Sequence, residues 1–519
     1  MTVLGKDPLR PADPEPPEQA GRPRAVIVGA GFGGLAAAIR LLAKGYDVEV
    51  VDRLDMPGGR GTAVDKGGFR FDLGPTIVTA PHLFEELWQL HGAKMADDVT
   101  LRALDPFYTI HFPDGETFTA RPDESAMEAE VARLSPGDLA GYRRFMADSK
   151  RRYEFGFLGL GRRSLHDFWD FAKTLPTFGL LRADRSVHAH AARRMRDPRL
   201  RMAMSFHPLF IGGDPFHVTS IYILVAYLEQ RYGVHCAVGG AAGLAKAMAR
   251  LIRRAGGRLR FGVEVERILL NDGRAAGVKL ADGTALAADI VVSNADPGHT
   301  YTKLLPGLAK PRWSAPRLKR TRWSMSLFVW YFGTRGTRAM WPEVGHHTIL
   351  NGPRYQELVR DIFIHGHLAE DMSLYLHRPA VTDPTAAPDG DDAFYALSPV
   401  PHLGFENGVD WREEAERYRQ RVEARLEATL LPGLSSRVVE SHVMTPLDFR
   451  DRYLSPLGAG FSIEPRILQS AWFRPHNVSE DVPGLYLVGA GTHPGAGLPG
   501  VISSAEAMAD LIPEAVHAA

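Results

Sequence analysis

The sequence predicts an α/β fold: a Rossmann-like dinucleotide-binding domain with an inserted substrate domain that contains a mixed β-sheet and a helical cap. Three observations predict it. An apolar strand pattern at residues 25–28 runs into a glycine loop, Gly29-Ala30-Gly31-Phe32-Gly33-Gly34, and then into an alanine- and leucine-rich helix ending near residue 44. A second strand pattern at residues 48–51 ends on Asp52. Far away, at residues 484–488, another strand pattern runs into a second glycine loop, residues 489–501, followed by a helix from about residue 502 to 511.

Each part of the first unit has a mechanical reason. Gly29 permits a sharp turn out of the strand, Gly31 lets a pyrophosphate approach the backbone, and Gly34 lets the helix pack close to the sheet. The helix N-terminus offers free N–H groups and the positive end of its dipole to phosphates. Asp52 lies about 20 residues beyond the loop, where a carboxylate accepts hydrogen bonds from a ribose. The stretch after it, Asp52-Arg53-Leu54-Asp55-Met56-Pro57-Gly58-Gly59-Arg60, narrows the dinucleotide to a flavin. The glycines allow close backbone approach, and Arg60 can pair with a phosphate. Phe71-Asp72-Leu73-Gly74-Pro75-Thr76 follows. The second glycine loop, with Gly489, Ala490, Gly491, Gly500 and Val501, predicts a second approach of main chain to the same cofactor.

Bulk composition bounds the rest. At 519 residues the chain is long enough for two or three domains. Hydrophobic residues make up 45% and charged residues 24%, and the formal net charge is zero, so the global attraction to polyanions shown by nucleic-acid binders is not expected. The single cysteine, Cys236, excludes an intramolecular disulfide and a multi-cysteine zinc site, and no metal is expected. It reads as a small core residue. Residues 1–23 are rich in proline and charge and read as a disordered tail without a secretory signal. No run reaches about 18 apolar residues, so no transmembrane helix is expected.

Along the chain, residues 24–120, 236–305 and 455–519 are assigned to the cofactor domain, 121–235 to a helical substrate- and membrane-contacting region, and 306–454 to a substrate domain of sheet and helices. Residues 81–92 read as helix. Residues 100–119 alternate like a hairpin, with a turn at Pro113-Asp114-Gly115. The helical region holds apolar residues from Phe168 to Leu181, flanked by Arg162, Arg163, Arg182 and Arg185, and a second basic cluster between Arg193 and Arg201. Aromatics beside cations suit a membrane interface. Residues 258–292 read as short strands joined by turns at Asn271-Asp272-Gly273 and Asp282-Gly283.

Gln469-Ser470-Ala471-Trp472-Phe473-Arg474-Pro475-His476-Asn477 and the glycine-rich segment after it resemble the C-terminal signature of bacterial phytoene desaturases, the FAD-dependent carotenoid desaturase family. Residues 322–328, 397–403, Ser205-Phe206-His207 and Ile211-Gly212-Gly213-Asp214-Pro215-Phe216 share the likeness. The N-terminal fingerprint alone also fits amine oxidases and protoporphyrinogen oxidases. The resemblance implies FAD as cofactor and stepwise desaturation of phytoene, by way of zeta-carotene and neurosporene toward lycopene. It implies a cofactor set of Gly29, Ala30, Gly31, Phe32, Gly33, Gly34, Asp52, Arg53, Gly59, Arg60, Gly74, Pro75, Thr76, Val265, Gly489, Ala490, Gly491, Gly500 and Val501. The chain departs from the family pattern at Glu506 and at Cys236-Ala237.

Such a substrate has no polar handle, so it must be held by apolar burial at roughly 25 cal/mol per Å² in a tunnel reaching the flavin. Hydride leaves to flavin N5 and a proton leaves the neighbouring carbon. His207 and Glu464 are the candidate proton acceptors, and His493 sits inside the second glycine loop. A membrane-dissolved substrate implies a cytoplasmic chain held peripherally on the bilayer, with oxygen or a quinone as terminal electron acceptor. Three other readings stay open: a related carotenoid desaturase or isomerase acting on a later intermediate, a non-catalytic prenyl-lipid escort of the same fold, and an amine oxidase.

Overall fold

The computed structural model describes residues 21–309, 311–406 and 408–516; residues 1–20 of the expected tail lie outside them. The opening strand β1 (Arg24–Val28) leads through the glycine loop into α1 (Phe32–Ala43) and on to β2 (Asp47–Asp52). These form the centre of a five-stranded parallel sheet. Its order is Leu485–Leu487, Ile290–Ser293, β1, β2, Arg258–Phe261. Ala25, Val26, Ile27, Val48 and Val50 are buried on both faces, as a parallel sheet covered by helices requires. Leu35 and Ile39 of α1 share one apolar cluster with Ile502 and Met508 of the last helix and with Leu244, Met248 and Ile252 of Gly240–Arg254.

The strand run predicted at 258–292 divides. Its outer pieces, Arg258–Phe261 and Ile290–Ser293, enter the parallel sheet. Its middle folds as a separate antiparallel sheet of three strands whose first turn places Asp272 and Gly273 at positive φ. Paired positive φ values suit the twist of a tight hairpin.

The second large sheet has seven strands, in the order Val438–Met444, Ser326–Thr334, Asp392–Val400, Leu374–His377, His347–Leu350, Tyr108–His111, Thr117–Ala120. All pairs are antiparallel except His347–Leu350 with Tyr108–His111. Every residue of Ser326–Thr334 is buried because the sheet is covered on both faces. Phe328, Trp330 and Phe332 pack with Trp411, Tyr418 and Val422 of the helix Trp411–Ala428. The alternate residues Leu327, Val329 and Tyr331 face a cavity on the other side. The hairpin Tyr108–His111/Thr117–Ala120 therefore belongs to this sheet rather than to the cofactor segment 24–120 in which the sequence placed it. Local alternation marks a hairpin but says nothing about which sheet edge it joins.

The helical region is built mainly of helices, but the apolar segment from Phe168 to Leu181 breaks into two short ones. Leu139–Arg152 continues as a π-helical segment, Tyr153–Gly161, before the short helices Phe168–Ala172 and Leu175–Leu180. Cys236 is buried, as expected of a core residue.

Candidate functional site

Three neighbouring parallel strands, β1, Ile290–Ser293 and Leu485–Leu487, end at the same edge of the sheet, and all three chains then turn into one cavity. Ligands of such sheets bind beyond the carboxyl ends of the strands. Gly29, with φ +97°, and Gly489, with φ +100°, make the two turns out of their strands. Side chains other than glycine rarely adopt such values. Asn294 lies between the turns, and its backbone N–H donates to the Val28 carbonyl at 2.8 Å. A Cβ at Gly33 would stand 2.6 Å from Asn294 Oδ1 and 3.1 Å from the Gly489 Cα, so the loops meet only because both lack side chains. A Cβ at Gly34 would stand 2.0 Å from the Gly29 carbonyl, which fixes that glycine by packing.

Asp52 is buried at the end of β2 and lines the cavity. Its Oδ2 accepts from the Ala30 N–H at 2.6 Å and its Oδ1 from the Leu54 N–H at 2.8 Å. Each oxygen keeps a lone-pair direction for a further donor. Burial raises its pKa, and these two backbone bonds oppose the rise. The Gly58-Gly59-Arg60 turn folds against the opening loop: Gly31 and Gly58 form an isolated bridge, and Gly58 N–H donates to the Ala30 carbonyl at 2.9 Å. Arg60 donates to Ser455 Oγ at 2.5 Å, while its Nε has no partner. Asp296, also in the cavity wall, has an unpartnered Oδ2. Burial lowers the pKa of Arg60 and raises that of Asp296. These are buried polar groups directed at a cavity and left for a ligand to satisfy.

The C-terminal unit is braced from behind. Arg474, 1% exposed, donates to the carbonyls of Thr492, Ala490, Ile463 and Gln469. Asn477 Nδ2 holds the His493 carbonyl at 2.9 Å, and Ser504 Oγ accepts from the Gly489 N–H at 2.9 Å. The last helix begins at Leu498, earlier than the sequence suggested, so Gly500 and Val501 lie in its first turn. Proline at the second helical position needs no partner for its nitrogen, which is why the helix can start there. The first-turn amides lie at the cavity wall.

The cavity is about 580 Å³ and largely apolar. Of the expected cofactor residues, Gly29, Gly31, Phe32, Gly33, Asp52, Arg53, Gly59, Arg60, Gly74, Pro75, Thr76, Val265, Gly489, Ala490, Gly491, Gly500 and Val501 line it. Ala30 and Gly34 stand just behind, one holding Asp52 and the other packed on Gly29. Arg53 reaches the wall, but its guanidinium is engaged by the Asp451 and Arg452 carbonyls and by Glu264. Away from the glycines the walls are Leu327, Val329, Tyr331, Tyr375 and Tyr395 of the second sheet, and Phe157, Leu160, Phe178, Leu224 and Leu228 of the helical region.

The two candidate proton acceptors are placed elsewhere. His207 is buried with Nε2 3.2 Å from Tyr108 Oη and 3.3 Å from Glu229 Oε2. Glu464 is buried, raised in pKa by that burial, and accepts from Arg466 at 2.8 Å. Both have partners and neither lines the cavity. His493 does line it, donating through Nε2 to the Leu160 carbonyl at 2.9 Å. Sequence reasoning missed Asn294, Asp296 and the bracing role of Arg474. Asn294 and Asp296 carried a usable signal, since both lie just beyond the last of the strands read at residues 258–292. Glu506, a departure from the family pattern, pairs with Arg162 at 2.8 Å and joins the last helix to the helical region.

A glycine cradle at the strand ends, an acid at the tip of β2 and an anion-ready arginine define a dinucleotide-binding flavoprotein oxidoreductase. Residues 32–513 match the family model described as flavin containing amine oxidoreductase, and the chain belongs to that family, within its phytoene desaturase branch. A phytoene desaturase (neurosporene-forming) of Rhodobacter capsulatus is 63% identical over 95% of each chain. A lycopene-forming phytoene desaturase of a Paracoccus species is 46% identical, covering 94% of this chain and 97% of its own. Among solved structures, an oxidoreductase from Methanosarcina mazei superposes with a TM-score of 0.64 at 20% identity, covering 94% of this chain and all of its own, a likeness of fold. The cofactor is FAD, and the unpartnered Arg60 Nε, the glycine cradle and the spare acceptors of Asp52 fit it.

Two tests follow from this geometry. Arg474→Met leaves four carbonyls without their donor, at about 1–3 kcal/mol for each acceptor left buried; purified protein should lose FAD and melt at a lower temperature. Burial holds His493 down to about 4, against an ordinary value near 6.5. As pH falls from about 6.5 toward 4, the unfolded chain takes a proton that the folded chain refuses, so stability falls with pH in that window. Melting temperatures measured across it should decline less steeply for His493→Asn than for the parent chain.

Proposed function

We propose that this chain desaturates phytoene stepwise, with neurosporene as its main product, the product named for the 63% identical relative. The observation that carries this reading is the single cavity that joins a dinucleotide cradle to long apolar walls. Bound FAD supplies a two-electron hydride acceptor. The chain's own residues hold the cofactor and align the polyene beside it. The cradle fixes the cofactor through Asp52, Arg60 and main-chain amides. The apolar walls bind a substrate with no polar group by removing its surface from water, at roughly 25 cal/mol per Å². They also exclude water from the reacting carbons. A carbocation developing beside conjugated double bonds is a strong acid, so this chemistry needs no strongly basic side chain. Beside the apolar walls the cavity presents hydroxyls, Tyr375 bonded to Thr76 at 2.8 Å among them, and Glu229.

The reading extends to a bilayer surface. The short helices Phe168–Ala172 and Leu175–Leu180 expose Phe168, Trp169, Leu175 and Leu180, the last by 82%. Leu468, 69% exposed, lies close in the chain to Trp472, whose ring meets Phe168 at 5.2 Å. On the inner side of the same region, Phe157, Leu160 and Phe178 line the cavity. One segment thus presents apolar surface outward and cavity wall inward, which suits a substrate arriving from lipid. The nearby cations contribute less than the sequence suggested, because Arg162, Arg182, Arg194 and Arg199 are paired with carboxylates. No helix among the described residues is long and apolar enough to cross a membrane.

Anaerobic incubation with phytoene in liposomes should bleach the flavin absorbance and yield neurosporene on chromatography. Unchanged flavin and unchanged phytoene would refute desaturation, and consumption of a later carotene alone would reassign the substrate. Trp169→Glu combined with Leu180→Glu should reduce liposome flotation at least about tenfold while FAD content stays at the parent level. Equal flotation would remove this surface from the account.

A further inference from the structure

Behind the cavity wall lies a group of side chains that the reaction does not use. His347 and His377 are directly opposed across adjacent strands of the second sheet, and His346 precedes His347. All three are buried. One nitrogen from each lies within 4.8 Å of the others. His346 Nε2 and His377 Nε2 are 3.1 Å apart. Two nitrogens bound tetrahedrally to one zinc ion stand about 3.3 Å apart.

The outer hydrogen bonds orient two of the rings, and a carbonyl fixes the tautomer of one. His347 Nδ1 lies 3.1 Å from the Phe107 carbonyl, which can only accept, so Nδ1 carries the proton. The Nε2 lone pair is then left inside, and it has no partner. An unmatched lone pair on a side chain only 2% exposed requires an explanation. His346 Nδ1 is held by Thr382 Oγ1 at 2.8 Å, which likewise turns Nε2 inward. Metal-bound histidines are oriented in this way by a carbonyl or hydroxyl on the far nitrogen. A small cavity of about 20 Å³ borders His346 and His377 and is also lined by Asp72 and Asp383. It is large enough for one water as a fourth ligand; Arg70 also lines it and pairs with Asp383 at 2.6 Å, which leaves Asp72 as the carboxylate nearest to offset added positive charge.

We propose that His346, His347 and His377 form a buried site for a divalent cation of zinc type. Imidazole nitrogens favour zinc and its neighbours over magnesium or calcium. In the absence of metal one proton bridges His346 and His377; on binding it moves to the outer nitrogen of the donating ring, and His347 closes the third side by a small shift that keeps its bond to the Phe107 carbonyl. The site is structural. The ring of His347 lies 5.6 Å from that of Tyr375, and the ring of His377 lies 4.9 Å from that of Tyr395, and both tyrosines line the substrate cavity. The ion would therefore brace the wall against which the polyene lies.

The test uses tag-free holoenzyme, treated with chelator and then equilibrated with zinc. Elemental analysis after gel filtration should find one zinc per chain, with a raised melting temperature. His347→Gln and His377→Gln should each lower retention at least about tenfold and abolish the thermal shift. Wild-type protein that retains no zinc, or folded variants that retain as much as wild type, would overturn the proposal. Should the variants fail to fold, cobalt added to wild type decides the matter: visible bands of a four-coordinate imidazole site support it, and the weak spectrum of hexa-aqua cobalt refutes it.

Discussion

The structure depends on one close approach: two stretches of main chain, more than four hundred residues apart in sequence, touch across Asn294 because Gly33 and Gly489 have no side chains. The parallel sheet makes this contact possible by ending three adjacent strands at one edge. The contact in turn places the two helix N-termini, α1 and Leu498–Ala509, at the same cavity. Their dipoles act together on an anionic ligand in an enclosed space, where field strength is greater than in water. Arg474 is the counterpart on the far side of the second loop. It uses its fixed fork of donors to hold four carbonyls that would otherwise be unsatisfied.

The remainder of the chain turns this cradle into a lipophilic reaction chamber. Ser326–Thr334 packs one set of alternate residues under a helix and gives the other to the cavity, so one strand stabilises the second domain and shapes the substrate wall. The helical region closes the opposite side with Phe157, Leu160 and Phe178. Glu506 and Arg162 fasten that region to the last helix, so the cofactor cradle and the substrate wall are mechanically joined. A chamber of this kind selects by shape and apolar area.

Much of the cradle was legible in the sequence because its signals are local. Gly29 to Gly34, Asp52, Gly59 and Arg60, and the glycine-rich turn before the last helix each carry their reason within a few residues of themselves. What was not legible depended on distant partners. The hairpin at Tyr108–His111 was recognisable, but its edge pairing with His347–Leu350 is a contact across more than two hundred residues. The arginines from Arg162 to Arg199 read as a basic surface, whereas folding supplies carboxylates to several of them. His207 and Glu464 stood out as polar residues in apolar sequence, and the fold gives that pattern its ordinary meaning, a buried group with a partner. His346, His347 and His377 converge only through strand register, which no spacing in the sequence reveals.

The central claim is that the two glycine loops act as one binding unit, and a double-mutant cycle on FAD affinity tests it most directly. Deflavinated wild type, Gly33→Ala, Gly489→Ala and the double variant are titrated with FAD, with circular dichroism confirming that each is folded. The account predicts that either single change weakens binding at least about tenfold and that the double change adds little more, because each alone already separates the loops. Wild-type affinity in Gly489→Ala, or losses that simply add, would contradict it.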